Sequence, residues 1–285
     1  LTGSASGKVA LTMSALTLRL LVAALAAVLL PQFSSGQTAP PMRTRDLTRM
    51  SNIAVQQYLE RSDVIFVPVG DIESNADLPS DLDYVTPLAF AMKMAEAGDG
   101  LFLPYLAYFY PGSTAMAEST VFITPSEGLA YLKRIAYSLL RQGFRRQVYV
   151  TVGHGPAANT VGPLIREFFD ETKVPILYIE ARQQMTRMKG DFSKVTYGAY
   201  SLLDRLEDIP LADGKPRRDD GPSNPALSKL QGLGTSGASV GFYVGGPNQH
   251  GGLRRPANES ERTAWGREGL SQIEAAVRAM DLPGV

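Results

Sequence analysis

Val64-Ile-Phe-Val-Pro-Val-Gly-Asp-Ile-Glu-Ser-Asn-Ala-Asp-Leu-Pro-Ser-Asp-Leu-Asp83 is the stretch whose reading decides the fold. It opens on an apolar, β-branched run, 64–69, closed by Gly70. Such a run reads as a strand buried on both faces, the kind found in parallel sheets. The chain then turns acidic within a short loop carrying Asp71, Glu73, Asp77, Asp81 and Asp83. Loops that leave the carboxyl ends of parallel strands are where α/β proteins place ligands. Carboxylates gathered there repel one another unless a cation or a substrate group balances them. The plainer alternative is a solvated turn that caps the next helix, since Asp and Ser serve both roles.

Outward from this stretch, strand-like and helix-like segments alternate. Residues 46–61 carry Leu47, Met50, Ile53, Ala54 and Leu59 at near-helical spacing. A helix is expected over 84–97, with Leu88, Ala91, Met92 and Ala95 on one face. Residues 101–109 read as extended, and Pro104 places them at a sheet edge or partly outside the sheet. A polar loop follows, then a short apolar run at 121–123 taken as a core strand. Thr124-Pro-Ser-Glu127 has the pattern of a capping box with Pro at the first helical position. Its helix ends at Gly143. A second buried strand, 147–152, runs into Gly153-His-Gly-Pro-Ala-Ala-Asn159 and a helix to about Thr172. Residues 174–179 make a third strand. Residues 183–194 are polar and carry no assignable period; a short helix is expected near 200–206. Residues 213–237 read as a long surface loop, 239–244 as a last strand, and Asn258 as the cap of a final helix. Strand and helix in alternation predict an α/β fold, a three-layer sandwich around a mostly parallel sheet.

Composition narrows the chemistry. The 285 residues are 44% hydrophobic, with 28 basic and 28 acidic side chains. A net charge of zero gives no pointer to nucleic acid or to an anionic membrane. The chain has no Cys, which excludes a disulfide framework, a thiolate nucleophile and a Cys-ligated metal. It has two His, His154 and His250, so a metal site must lean on carboxylates.

The N-terminal part has its own logic. Met13 is a plausible start, Arg19 is a positive n-region, and 20–30 is an apolar run too short to span a bilayer. Ser34-Ser-Gly36 offers small residues for cleavage near Gln37. The expectation is upstream residues and a cleavable signal peptide over 1–36, then a single domain over 37–285. The protein would be periplasmic or secreted, with no stable membrane insertion after cleavage. An uncleaved anchor is the alternative.

Two strand ends now stand out: one carries Glu73 and Asp83, the other His154 between two glycines. In a parallel sheet these side chains can converge, and two carboxylates with an imidazole suit Zn²⁺ or Mn²⁺. A packed, hydrogen-bonded loop histidine is the competing account of His154. Here a resemblance becomes visible. Residues 67–79 followed by Asp83 resemble the first metal-binding segment of the creatininase family, Pro-x-Gly-Ser-x-Glu-Gln-His-Gly-x-His-Leu-Pro and then Thr-Asp. Thr120 resembles the Thr of the family's Pro-Gly-Thr. Gln142-Gly-Phe-Arg-Arg with the following strand and Gly153-His-Gly resembles its Gly-Phe-Arg, strand, Asn-Gly-His-Gly segment.

The resemblance implies a binuclear centre with a hydroxide between divalent ions, opening cyclic amides and related C–N bonds. It places Glu73, Asp83 and His154 on three ligands of one metal. It also implies a homo-oligomer, commonly a hexamer in the family. This chain departs from the pattern in ways that bear on the second metal. Asn75 stands at the family's first His ligand and Asp77 at the next His. Pro156 occupies a position where some members have a Glu ligand. Thr196-Tyr-Gly-Ala-Tyr-Ser201 replaces an acidic family segment. One ion rather than two is expected, with Asn75 and Asp77 contacting a small-molecule substrate. Glu118 and His250 are candidate proton carriers, against the plainer reading of both as surface side chains. A non-catalytic member that binds a small molecule or protein partner is the second functional reading. A Ser or Thr hydrolase is set aside, since no Gly-x-Ser-x-Gly elbow is present.

Overall fold

The structure is a computed structural model, and it describes residues 42–152, 155–213 and 253–282. His154, His250, the expected signal peptide and the strand expected at 239–244 lie outside those residues. Contacts divide the chain into Leu1–Met42 and Arg43–Val285; the fold described here is that of the second unit.

In chain order the elements are α1 (Asn52–Leu59), β1 (Val64–Pro68), α2 (Leu82–Ala97), β2 (Leu101–Phe102), α3 (Pro125–Gln142), β3 (Arg146–Thr151), α4 (Gly155–Thr172), β4 (Leu177–Glu180), α5 (Ala181–Arg187), α6 (Phe192–Leu202) and α7 (Glu259–Arg278). The four strands pair in parallel in the order β2-β1-β3-β4. All of β1 is buried, as its continuous apolar run requires. The chain leaves β1 toward β2 on one side and returns across it to β3 on the other. The strand order therefore reverses between β1 and β3, and open α/β sheets bind ligands outside the carboxyl ends of the strands at such a point.

The alternation of side chains along β1 and β3 builds the three layers. Val64 and Phe66 with Val148 and Val150 join the core cluster formed with α2, α6 and α7. On the other face, Gln147 donates through Nε2 to the carbonyls of Ala136 (2.9 Å) and Phe144 (3.1 Å). It accepts at Oε1 from the Tyr149 hydroxyl at 3.0 Å. Burial pushes the Tyr149 hydroxyl pKa upward, so it remains a donor. That face is covered by α3 and α4, joined by the Tyr137–Phe168 ring pair at 5.2 Å.

Local signals set the ends of α3. The Thr124 hydroxyl accepts from Glu127 N–H, and Thr124 N–H donates back to the Glu127 carboxylate at 2.9 Å, which is the expected capping box. Gly143 closes the helix at φ +111°, a conformation that favours Gly. Bonds from the Thr124 hydroxyl and then its backbone hold the Glu127 carboxyl below the usual range. A group whose folded pKa is depressed stabilises fully above its unfolded value and loses that contribution as pH falls through the folded value. The stability gap between the wild type and Glu127→Gln should therefore be present at neutral pH and close in acid. Urea midpoints across a pH series measure it, and a gap that widens on acidification would refute the assignment.

Several expectations need correction. Residues 46–61 are not one helix; a 3₁₀ turn, Leu47–Arg49, precedes α1, which starts after its own Ser51 cap. The extended run at 101–109 is as expected: it pairs over Leu101–Phe102 at the sheet edge, and the rest, from just before Pro104, lies outside the sheet. Residues 121–123 form no strand: Val121 and Phe122 are 41% and 49% exposed, and Val121 N–H donates to Ile72 O at 2.9 Å instead. Residues 183–194 contain the end of α5 and the start of α6. α6 ends at Leu202 and so takes in only the first three residues of the short helix expected at 200–206, the rest being a turn and the start of a 3₁₀ turn, Leu206–Asp208.

Candidate metal centre

The site forms where β1 ends. Gly70 sits under the first turn of α2, and a Cβ there would lie 2.3 Å from Asp83 O and 2.6 Å from Tyr84 Cα. A bare backbone at 70 thus lets the helix bring Asp83 down onto the strand end. The chain between them folds back on itself. Glu73 N–H donates to Ser80 O at 2.9 Å, and Leu78 N–H to Asn75 O at 3.0 Å across a tight turn. Ala76 in that turn has φ 56°, a left-handed conformation that costs a non-glycine residue about 1 kcal/mol. Backbone strain of this type collects at functional sites.

The outcome is a convergence of three carboxylates. Asp71, Glu73 and Asp83 each offer an oxygen within 4.8 Å of the others; Asp71 and Glu73 are fully buried and Asp83 partly so. At an effective dielectric of about 20, two negative charges this far apart repel by roughly 3 kcal/mol. A divalent cation reverses the sign of that term, and buried carboxylate oxygens are the donors Mn²⁺ and, with nitrogen ligands, Zn²⁺ accept. The residues present fit a hard divalent ion.

Neighbouring groups orient the acids. The Thr114 hydroxyl donates to Glu73 Oε2, and Asn75 Nδ2 donates to Asp83 Oδ2 at 3.1 Å. The loop holding Thr114 is tied to the acidic loop again where Ser74 N–H donates to Thr120 Oγ1 at 3.0 Å. Asp81, two residues before Asp83, accepts from Tyr200 OH at 2.7 Å and from Arg205 at 2.6 Å, which links the start of α2 to the end of α6. Burial, and then the Asp81 charge, push the Tyr200 hydroxyl pKa up, so the proton stays in place to donate. Beside Asp83, burial lifts Tyr84 to about 12, and its hydroxyl accepts from Tyr105 N–H.

Of the residues singled out in the sequence, Glu73 and Asp83 are brought together. Asn75 lies against Asp83. Asp77 is half-exposed and pairs with Arg255, whose side chain is buried. Glu118 is exposed on the loop that holds Thr114 and is not one of the three clustered acids. His154 and His250 lie outside the described residues. Two residues were missed as site members. Asp71 follows Gly70 directly, stands where the family pattern has Ser, and reads as a turn residue. Thr114 belongs to a 3₁₀ turn, Gly112–Thr114, 41 residues from its partner, and no local signal marks it. A cavity of ≈ 370 Å³ between α5 and α7, lined by residues that include Met185, Asp191, Glu268 and Gln272, contains none of the clustered acids.

Fold and site together define a parallel α/β sandwich with a carboxylate-lined rim at its topological switch point. Residues 48–201, more than half the chain, match the family model Creatininase: creatinine amidohydrolase, and the chain belongs to the creatininase family. Solved structures agree on the fold. A crystal structure of creatinine amidohydrolase (creatininase) has a TM-score of 0.57 at 17% identity, covering 84% of this chain and 97% of that one. One described as Creatininase Mn has 0.56 at 16%, covering 84% and 99%. A putative creatinine amidohydrolase from Bacteroides fragilis NCTC 9343 has 0.56 at 17%, covering 83% and 98%. No curated protein matches the sequence.

Proposed function

We propose that the chain is a metal-dependent amidohydrolase that cleaves a C–N bond of a cyclic amide or a related small molecule. The observation that carries this reading is the convergence of Asp71, Glu73 and Asp83 on one point, in the loop where the creatininase resemblance puts its first ligands. Family membership adds to it. Among related structures, one is of Zn-Zn type and one is complexed with creatine. One divalent ion is proposed, Mn²⁺ or Zn²⁺, with His154 as a further ligand beside the three acids. A bound ion of this class lowers the pKa of water toward about 7 and polarises a carbonyl. The chain's own contribution is to hold the ion with Asp71, Glu73 and Asp83, and to keep Asp83 turned by Asn75. Asn75 and Asp77 remain proposed substrate contacts. Glu118 and His250 are the proposed proton carriers; Glu118 stands two residues before Thr120, on the loop tied to Ser74.

Elemental analysis of protein given Mn²⁺ or Zn²⁺ should find close to one ion per chain, and the protein should hydrolyse creatinine or another cyclic amide in a substrate panel. Glu73→Gln should weaken metal binding by about 100-fold or more and remove turnover. Glu118→Gln should lower kcat at unchanged metal content. Failure to take up any metal would sink the proposal.

A second reading, a binding protein without turnover, is favoured by Asn75. It stands at a family His position and donates to Asp83 rather than offering a ligand nitrogen. Cyclic amides that raise the melting temperature without being hydrolysed would select it. The apolar run at 20–30 supports export to the periplasm or beyond, which N-terminal sequencing of exported protein tests. A homo-oligomer rests on the family resemblance alone; light scattering that finds only monomer would reject it.

A further inference from the structure

We propose that Thr114 is a positioning residue for Glu73, fixing which carboxylate oxygen is presented to the ion; this rests on the metal-dependent reading above. Thr114 is fully buried. Its hydroxyl donates to Glu73 Oε2 and also lies 3.0 Å from Pro111 O. A hydroxyl has one proton, and a charged carboxylate is the stronger acceptor, so the proton goes to Glu73 and the Pro111 carbonyl is the weaker claimant.

The loop from Tyr110 to Val121 meets the acidic loop at three places. Two are structural: Val121 N–H to Ile72 O, and Ser74 N–H to Thr120 Oγ1. The third, from Thr114, reaches a ligand carboxylate. A glutamate side chain in a buried site has several rotamers open to it, and a donor at Oε2 selects one of them. With Oε2 engaged, Glu73 enters the cluster as a one-oxygen ligand of defined direction. Groups that hydrogen-bond to a ligating carboxylate are worth about 10- to 100-fold in metal affinity when lost. Gly112, at φ 69°, gives the loop the turn that carries Thr114 inward.

The test compares Thr114→Val, which keeps the shape and loses the donor, with Thr114→Ser, which keeps the donor. Dissociation constants for Mn²⁺ and Zn²⁺ are measured by chelator competition, and metal-free melting curves report folding separately. Thr114→Val should bind about 10- to 100-fold more weakly, and Thr114→Ser should return to the wild-type value. Equal affinity of Thr114→Val and wild type overturns the role, as does equal weakening in Val and Ser, which would mean that any change of side chain at 114 disturbs the site whether or not the hydroxyl is kept. If Thr114→Val does not fold, Thr114→Ala replaces it against Ser, and equality between those two overturns the role. A wild type that binds neither ion overturns the metal-dependent reading itself, an outcome distinct from tight binding that ignores Thr114.

Discussion

Gly269→Ala should lower the unfolding free energy by about 3 kcal/mol or more, near the upper end of single-substitution effects. The cause is the crossing of α6 and α7. A Cβ at Gly269 would lie 1.7 Å from Lys194 O, and one at Gly198 would lie 2.2 Å from Leu270 N. The obstacles are backbone atoms, so no side-chain rotation relieves them and one helix must move. Intrinsic preference runs the other way, since Ala is better than Gly in a helix interior by about 1 kcal/mol. Here the clash outweighs that gain. Gly162 in α4 is the control, because a Cβ there meets nothing within 4 Å. Gly162→Ala should shift stability by no more than about 1 kcal/mol, since the preference for Ala in a helix is offset by the crowding of a Cβ against the following Pro163. Urea unfolding of both variants measures the contrast. A Gly269→Ala protein as stable as the wild type would mean that the two backbones do not touch.

The same crossing explains what sequence reading missed. β1, β3 and α3 are legible because each has a strong local signal: a continuous β-branched run, or a capping box followed by an apolar stripe. α6 has none. Its Ser193, Thr196 and Gly198 are buried along with Val195, Tyr197, Ala199 and Tyr200, so apolar and polar residues do not separate into faces. Val, Thr and Gly are modest or poor helix formers, and packing against α7, not propensity, holds this segment helical. At the site, Glu73 and Asp83 are legible because both fall on ligand positions of the creatininase pattern that residues 67–79 and Asp83 resemble. Asp71 is not, because an Asp after Gly is also an ordinary turn residue. Only the depth to which the loop is drawn into the sheet edge distinguishes the two cases, and that depth is set by Gly70 and the first turn of α2.

Gly70→Ala should therefore separate the site from the scaffold. The added methyl would face Asp83 O at 2.3 Å, so the first turn of α2 must retreat from the end of β1. Asp83 moves with that turn, whereas Asp71 and Glu73 stay with the strand they follow. Stability should fall by about 1–3 kcal/mol, the usual cost of overpacking. Metal affinity should fall by at least about tenfold, because one of three donors leaves a site that spans 4.8 Å. Lost stability alone can mimic lost binding, so a matched control is needed. Leu132 is fully buried in α3, on the other face of the sheet. Leu132→Ala should cost about 2–5 kcal/mol, as much as Gly70→Ala or more. It leaves the donors where they are, so its folded fraction should bind Mn²⁺ or Zn²⁺ like the wild type. If both variants bind equally well, Asp83 does not depend on the close approach at Gly70. If both weaken in proportion to stability, the carboxylates are not a pre-formed site, and burial of the loop serves the fold rather than an ion.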